Sequence, residues 1–196
     1  MQVSAGTAPT LIDAIWPRRS GGLLRMALLA VAGSILMALS ARTQVPMWPV
    51  PMTMQTFAVL VIGMAYGYRL AGVTLLLYLA EGAVGLPVFA SGGGIAYFAG
   101  PTTGYLAGFF VAAVLVGWLG ERGWDRSVPL TFVAMFGGTV VIFALGVAWL
   151  SVFLNDFQAA LANGFSPFII GAFVKIALAA AVLPLVWKLA IRKRGI

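Results

Sequence analysis

The sequence predicts an all-α membrane protein of six transmembrane helices with both termini on the cytoplasmic side. Three observations point there. Hydrophobic residues make up 62% of the 196, and charged residues only 9%. A soluble domain runs nearer half apolar and a quarter charged, so this chain lacks the polar surface to coat a globule in water. Long uncharged runs recur along the chain, and a spanning helix needs ~20 mostly apolar residues. The basic residues, finally, fall on one side of the bundle those runs imply.

The elements follow from where runs and breakers lie. Residues 1–20 read as a mixed cytoplasmic tail, with a short interfacial helix around Leu11–Trp16. Residues 21–192 form the membrane domain. Its first helix runs near 22–42, ending at Arg42. Pro46, Pro49 and Pro51 then break the chain before a short second helix near 53–66. The third lies near 69–84. Pro87, the glycines 92–94 and Gly100-Pro101 interrupt the next uncharged run, which places the fourth helix near 104–120. The fifth lies near 129–152 and the sixth near 167–190. Residues 193–196 are a basic cytoplasmic end.

With the N-terminus inside, Arg18, Arg19, Arg25, Arg69, Arg122, Arg126, Lys188, Arg192, Lys193 and Arg194 all lie inside and Arg42 alone outside. A five- or seven-helix threading would move the basic C-terminus outward and lose this bias. The net charge of +7 is therefore a footprint beside an anionic leaflet, not a nucleic-acid surface.

Composition also excludes chemistry. There is no Cys and no His, and the five acids (Asp13, Glu81, Glu121, Asp125, Asp156) do not cluster in sequence. No catalytic residues, metal site or cofactor are expected, and the chain is not read as an enzyme. A P-loop needs Gly-Lys-Ser/Thr, and none of the three lysines follows a glycine. Any ATP hydrolysis must come from another subunit.

Lys175 is the sharpest candidate. It lies well inside the sixth helix, where a cation must face the bundle interior and meet a partner. It is a ligand-binding cation for an anionic or carbonyl-bearing ligand, or else a structural partner of Glu81 or Asp156, or a side chain that snorkels to the outer interface. Glu81 lines the same cavity or sits at the interface. The segment 85–103, apolar and glycine-rich, folds over the outer mouth as a lid or re-entrant stretch, or is a plain connection anchored by Phe89, Tyr97 and Phe98. Gly92, Gly93 and Gly94 would allow close backbone approach to a ligand. Ala30, Ser34 and Ala38, at four-residue spacing in the first helix, permit close contact with a neighbouring helix.

Four segments carry a resemblance: VPMWPVPMTMQTFAVLVIGMAYG (45–67), YLAEGAVGLPVFA (78–90), GPTTGYLAGF (100–109) and PFIIGAFVK (167–175). In this order and spacing, from about residue 24 to 190, the chain resembles the BioY family, the biotin-binding S components of energy-coupling-factor (ECF) transporters. The resemblance implies six helices in the bacterial inner membrane and capture of biotin from outside. It implies delivery inward with a transmembrane coupling (T) subunit and ABC-type ATPases. By the same resemblance, Ala30, Ser34 and Ala38 would form the contact with the coupling partner. Lys175, Gln55, Glu81, Ser91, Tyr97 and Tyr105 would contact biotin, with Gly92–Gly94 closing over it. Two positions depart from the family pattern. Ala172 stands where an Asp is common, so the acceptor for the ureido N–H groups would pass to Gln55, Glu81, Asn163 or a backbone carbonyl. Thr103 stands where glycine is more usual. The alternative function is an autonomous carrier or channel for another small vitamin-like solute.

Overall fold

A computed structural model describes residues 8–17 and 22–194. Half of the predicted N-terminal tail, Arg18 and Arg19 included, lies outside the described residues, as do the last two residues of the chain. Eight α-helices are present among the described residues: α1 (Leu11–Ile15), α2 (Gly22–Arg42), α3 (Gln55–Tyr66), α4 (Tyr68–Ala83), α5 (Thr103–Gly120), α6 (Val128–Leu154), α7 (Phe157–Gly164) and α8 (Ile169–Arg194). The six predicted stretches correspond to α2, α3, α4, α5, α6 and α8. The interfacial helix expected around Leu11–Trp16 is α1, capped by Thr10, whose hydroxyl accepts from the Asp13 N–H at 3.3 Å.

By length and composition α2, α5, α6 and the stretch 157–190 containing α7 and α8 can cross a membrane. Helices α3 and α4, at 12 and 16 residues, are shorter than the ~30 Å hydrocarbon core at 1.5 Å per residue. They turn on Gly67, whose φ of 80° favours glycine.

Packing runs through α5, which lies against α3, α4 and α6. Glycines allow the close approach. A Cβ on Gly108 would stand 2.9 Å from the Ile142 backbone, and one on Gly117 would stand 2.6 Å from the Tyr68 nitrogen. Such small-residue contacts suit a medium where apolar packing, not water exclusion, holds helices together.

Two connections cap the end of the bundle that holds the starts of α3 and α5. In the first, Gln44–Val45 pairs antiparallel with Met52–Thr53 around the proline-rich turn. The second, residues 84–102, plugs into the bundle through Phe89, which is fully buried. Its ring meets Tyr78 at 5.3 Å, Tyr97 at 4.7 Å and Phe98 at 5.6 Å. Arg42 donates to the Pro87 carbonyl, and Gln44 Nε2 donates to the Ala90 carbonyl at 3.1 Å, tying the two connections together. The 84–102 segment is thus a fitted cover rather than a loose connection.

Candidate ligand cavity

Beneath this cover lies a cavity walled by the hairpin, the cover and helices α3, α5, α6 and α8. The space between its atoms, counted out to the open mouth, is about 710 Å³, and it is narrow. Its walls are mostly apolar: Leu60, Phe89, Tyr97, Phe109, Phe143 and Phe168 are among them. Phe143 stands edge-on to Tyr105, Phe165 and Phe168 at 6.5, 5.3 and 6.1 Å. These rings follow from burying aromatic surface where three helices converge.

The polar groups are few and gather on one side. Lys175, nearly two turns into α8, reaches across to the start of α3. Its Nζ donates to the Thr53 carbonyl at 2.6 Å and to the Thr56 hydroxyl at 3.1 Å. The Thr53 carbonyl stands just before the first turn of α3, where the chain leaves the hairpin. Gln55 is buried beside it: its Nε2 donates to the Tyr78 hydroxyl at 2.7 Å, and its Oε1 accepts from the Thr53 hydroxyl at 3.2 Å. Tyr78 in turn donates to the Val88 carbonyl at 3.0 Å, so one chain of bonds joins α3, α4 and the cover.

Of the residues expected at the site, Lys175, Gln55, Tyr97 and Tyr105 line the cavity. Tyr105 does so with its ring, because its hydroxyl donates to the Gly164 carbonyl at 2.7 Å. The other expected residues stand elsewhere among the described residues. Glu81 accepts from the Ser34 hydroxyl, between α4 and α2. Asn163 turns back on its own helix, donating to the Ala159 carbonyl at 2.8 Å. Asp156 caps α7 through the Gln158 and Ala159 N–H groups, so neither acid pairs with Lys175. Ser91 is exposed at the edge of the cover. Gly92, Gly93 and Gly94 form the turn behind Phe89: Gly92 bridges to Phe89, and the Gly94 N–H donates to the Gly82 carbonyl at 2.7 Å. These glycines shape the cover and do not face the cavity.

The small-residue stripe of the first helix meets a neighbouring helix of this chain. Ala30 is 2% exposed and Ser34 1%, while Ala38 is half-buried. Ala30 packs with Leu29 and Leu70, and Ser34 bonds Glu81, so these two residues of the stripe face α4. The outward face of α2 instead carries Leu24, Leu28, Val31, Ile35 and Leu39.

The sequence reading missed Thr53, Thr56 and Thr139 as cavity residues. Thr56 follows Gln55 directly, so proximity in sequence was one available signal. The Thr53 contribution is a backbone carbonyl, which no side-chain pattern reveals.

The arrangement can hold a compact, largely apolar molecule by aromatic walls. It offers a cation and a hydroxyl to an oxygen acceptor at one end. Among the described residues no group of His, Cys, Asp and Glu could hold a metal ion, and no nucleophile–base pair faces the cavity.

The chain is similar to known proteins over most of its length. The sequence model of the BioY family matches residues 12–192. The chain is 34% identical over 148 residues to the biotin transporter BioY of Thermotoga maritima, covering 75% of this chain and 86% of that protein. It is 38% identical over 148 residues to a probable biotin transporter BioY of Pyrococcus horikoshii, with the same two coverages. Among solved structures, the S-component for biotin from an ECF-type ABC transporter superposes with a TM-score of 0.71 at 20% identity. It covers 87% of this chain and 95% of that one, a likeness of fold.

Proposed function

The chain belongs to the BioY family, and from that premise we propose that it is the biotin-capturing membrane subunit of an ECF-type transporter. The observation that carries the reading is the covered apolar cavity with half-buried Lys175 as the single cation in its lining. Biotin has an apolar bicyclic body, a ureido group and a carboxylate tail. The rings of Phe89, Tyr97, Phe109, Phe143 and Phe168 suit the body. Lys175 and Thr56 suit an oxygen acceptor, either the ureido carbonyl or the carboxylate.

The departure at Ala172 leaves the ureido N–H groups in need of an acceptor. Of the replacements considered, Gln55 lines the cavity, and the hydroxyl oxygens of Thr56 and Thr139 stand with it. The cover faces the side that the arginine and lysine count assigns to the outside, so biotin enters there and the chain passes it inward. Hydrolysis belongs to ABC-type ATPase partners with a transmembrane coupling subunit, because this chain has no P-loop.

Equilibrium binding of biotin to the detergent-purified chain tests the reading. Tight, saturable binding of biotin over other vitamins is expected. A folded chain that fails to bind biotin, or binds another vitamin more tightly, overturns it.

A further inference from the structure

A long groove lies between α6 and α8, beside α7. Its α6 wall is one stripe at four-residue spacing: Phe136, Val140, Ala144 and Ala148. Its α8 wall holds Ile169, Ala172, Phe173 and Ile176. Phe157 and Leu161 of α7, with Phe165 just after it, line one end. At the other end the Phe136 and Phe173 rings stand 6.4 Å apart and bridge the two helices. The room comes from small side chains, since Ala144, Ala148 and Ala172 leave volume that larger residues would fill. The space between its atoms is about 1170 Å³, counted to its mouth. That mouth belongs to the lipid-facing surface: Phe136, Val140, Phe157 and Phe173 are exposed on stretches long and apolar enough to cross a membrane.

What fills the groove must be apolar. No lining residue is charged, and the one hydroxyl, on Thr139, already donates to the Met135 carbonyl at 2.8 Å. A water needs two to four polar partners and finds too few here. An empty space would forfeit the contacts of every side chain around it. A bilayer offers two apolar occupants, a partner's helix and a lipid chain, and size separates them. From Phe136 to Ala148 the groove runs ~18 Å at 1.5 Å per residue, which leaves a mean cross-section of ~65 Å². A helix ~10–12 Å across needs ~80–110 Å². A methylene chain, with carbon contacts at ~3.5–4 Å, fits inside. The length also suits it, since one leaflet is ~15 Å deep, half of a ~30 Å hydrocarbon core.

We propose that this groove seats an acyl chain of a bilayer phospholipid. Thr139, Phe143 and Ala172 line both the groove and the ligand cavity, so the seated chain packs against the back of the wall those three residues form.

Photocrosslinking tests this on the full chain, reconstituted in phosphatidylcholine vesicles doped with phosphatidylcholine that carries a diazirine on one acyl chain. Peptide mass spectrometry after irradiation reads the adducts residue by residue. Adducts over 136–148 and 169–176 should exceed those at Val31, Ile35 and Leu39, on the outward face of α2, by about threefold, the preference that a few added carbon–carbon contacts supply. Those three residues are exposed to the same lipid. Ala144→Phe combined with Ala148→Phe, both at exposed positions, fills the groove and should bring its adducts down to the α2 level. Helical circular dichroism and a single size-exclusion peak confirm folding, and Ala148→Phe alone decides if the pair fails to fold. Wild-type groove adducts at or below the α2 level overturn the proposal and leave the groove to passing lipid or to a partner. So does a groove excess that is undiminished in the folded, filled variant. Biotin is absent from the vesicles, so this result and the reading of the ligand cavity stand or fall separately.

Discussion

Gly82→Ala should loosen the cavity cover while leaving the bundle folded. Gly82 is the penultimate residue of α4, and the Phe89 ring lies directly on it: an added Cβ would fall within the ring's contact radius. The ring cannot move aside freely, since Tyr78, Tyr97 and Phe98 surround it. Forcing a methyl into such packing costs ~1–3 kcal/mol. Alanine returns ~0.5–1 kcal/mol of helix propensity. The net penalty of about 1–2 kcal/mol falls on the docking of residues 84–102, because the other contacts of α4 are untouched. A penalty of that size changes a local opening equilibrium about 5–30-fold. Amide hydrogen exchange over residues 86–94 should accelerate by that factor, with α5 and α6 unchanged. Biotin affinity should fall by no more than the same factor, since only the population of the closed cover changes. Unchanged exchange over 86–94 in a folded variant would refute the idea that Phe89 seated on Gly82 holds the cover shut.

Further outcomes follow from the same geometry. Lys175→Met keeps most of the apolar stem but removes the donor; by loss of one charged hydrogen bond, about 1.5–3 kcal/mol, biotin should bind roughly 10–150-fold more weakly by calorimetry. An unchanged affinity in the folded variant would remove Lys175 from the site. Asp125, in the turn between α5 and α6, is fully buried and accepts from the Trp187 indole through one oxygen while the other has no partner. Burial pushes its carboxyl from 3.8 up to about 6. The folded state therefore holds this proton more tightly than the unfolded chain, and the stability it contributes is full below pH 3.8 and lost as pH rises to about 6. Thermal unfolding between those pH values should show that decline, and Asp125→Asn, which keeps an acceptor for Trp187, should flatten it. A decline that persists in the Asn variant would assign the effect to another group.

Much of the fold was legible because its signals are local. Runs of apolar residues and the prolines and glycines that end them set the six main helices within a few residues. The apolar, glycine-rich character of 85–103 marked it as more than a surface connection. Lys175 stood out because a lone cation in an apolar helix demands a partner, and it does line the cavity. Glu81 and Asn163 misled because a polar residue near a helix end has two ways to be satisfied. One is a site; the other is a neighbour such as Ser34 or the Ala159 carbonyl.

By itself, then, the sequence determined that this chain belongs in a bilayer, where its helices begin and end, and that Lys175, the one base left deep within a span, would need a partner. Only the tertiary structure decided which face of each helix turns inward. The reason is physical. In water an amphipathic pattern separates buried from exposed faces, but lipid and protein interior are both apolar, so α2 presents leucines outward and the Ala30–Ser34 stripe inward without any periodic signal to distinguish them. The same holds for the cavity. Its polar end is assembled from Lys175 and the Thr53 carbonyl, 122 positions apart in the chain, and a backbone oxygen becomes a partner only when the chain folds to bring it there.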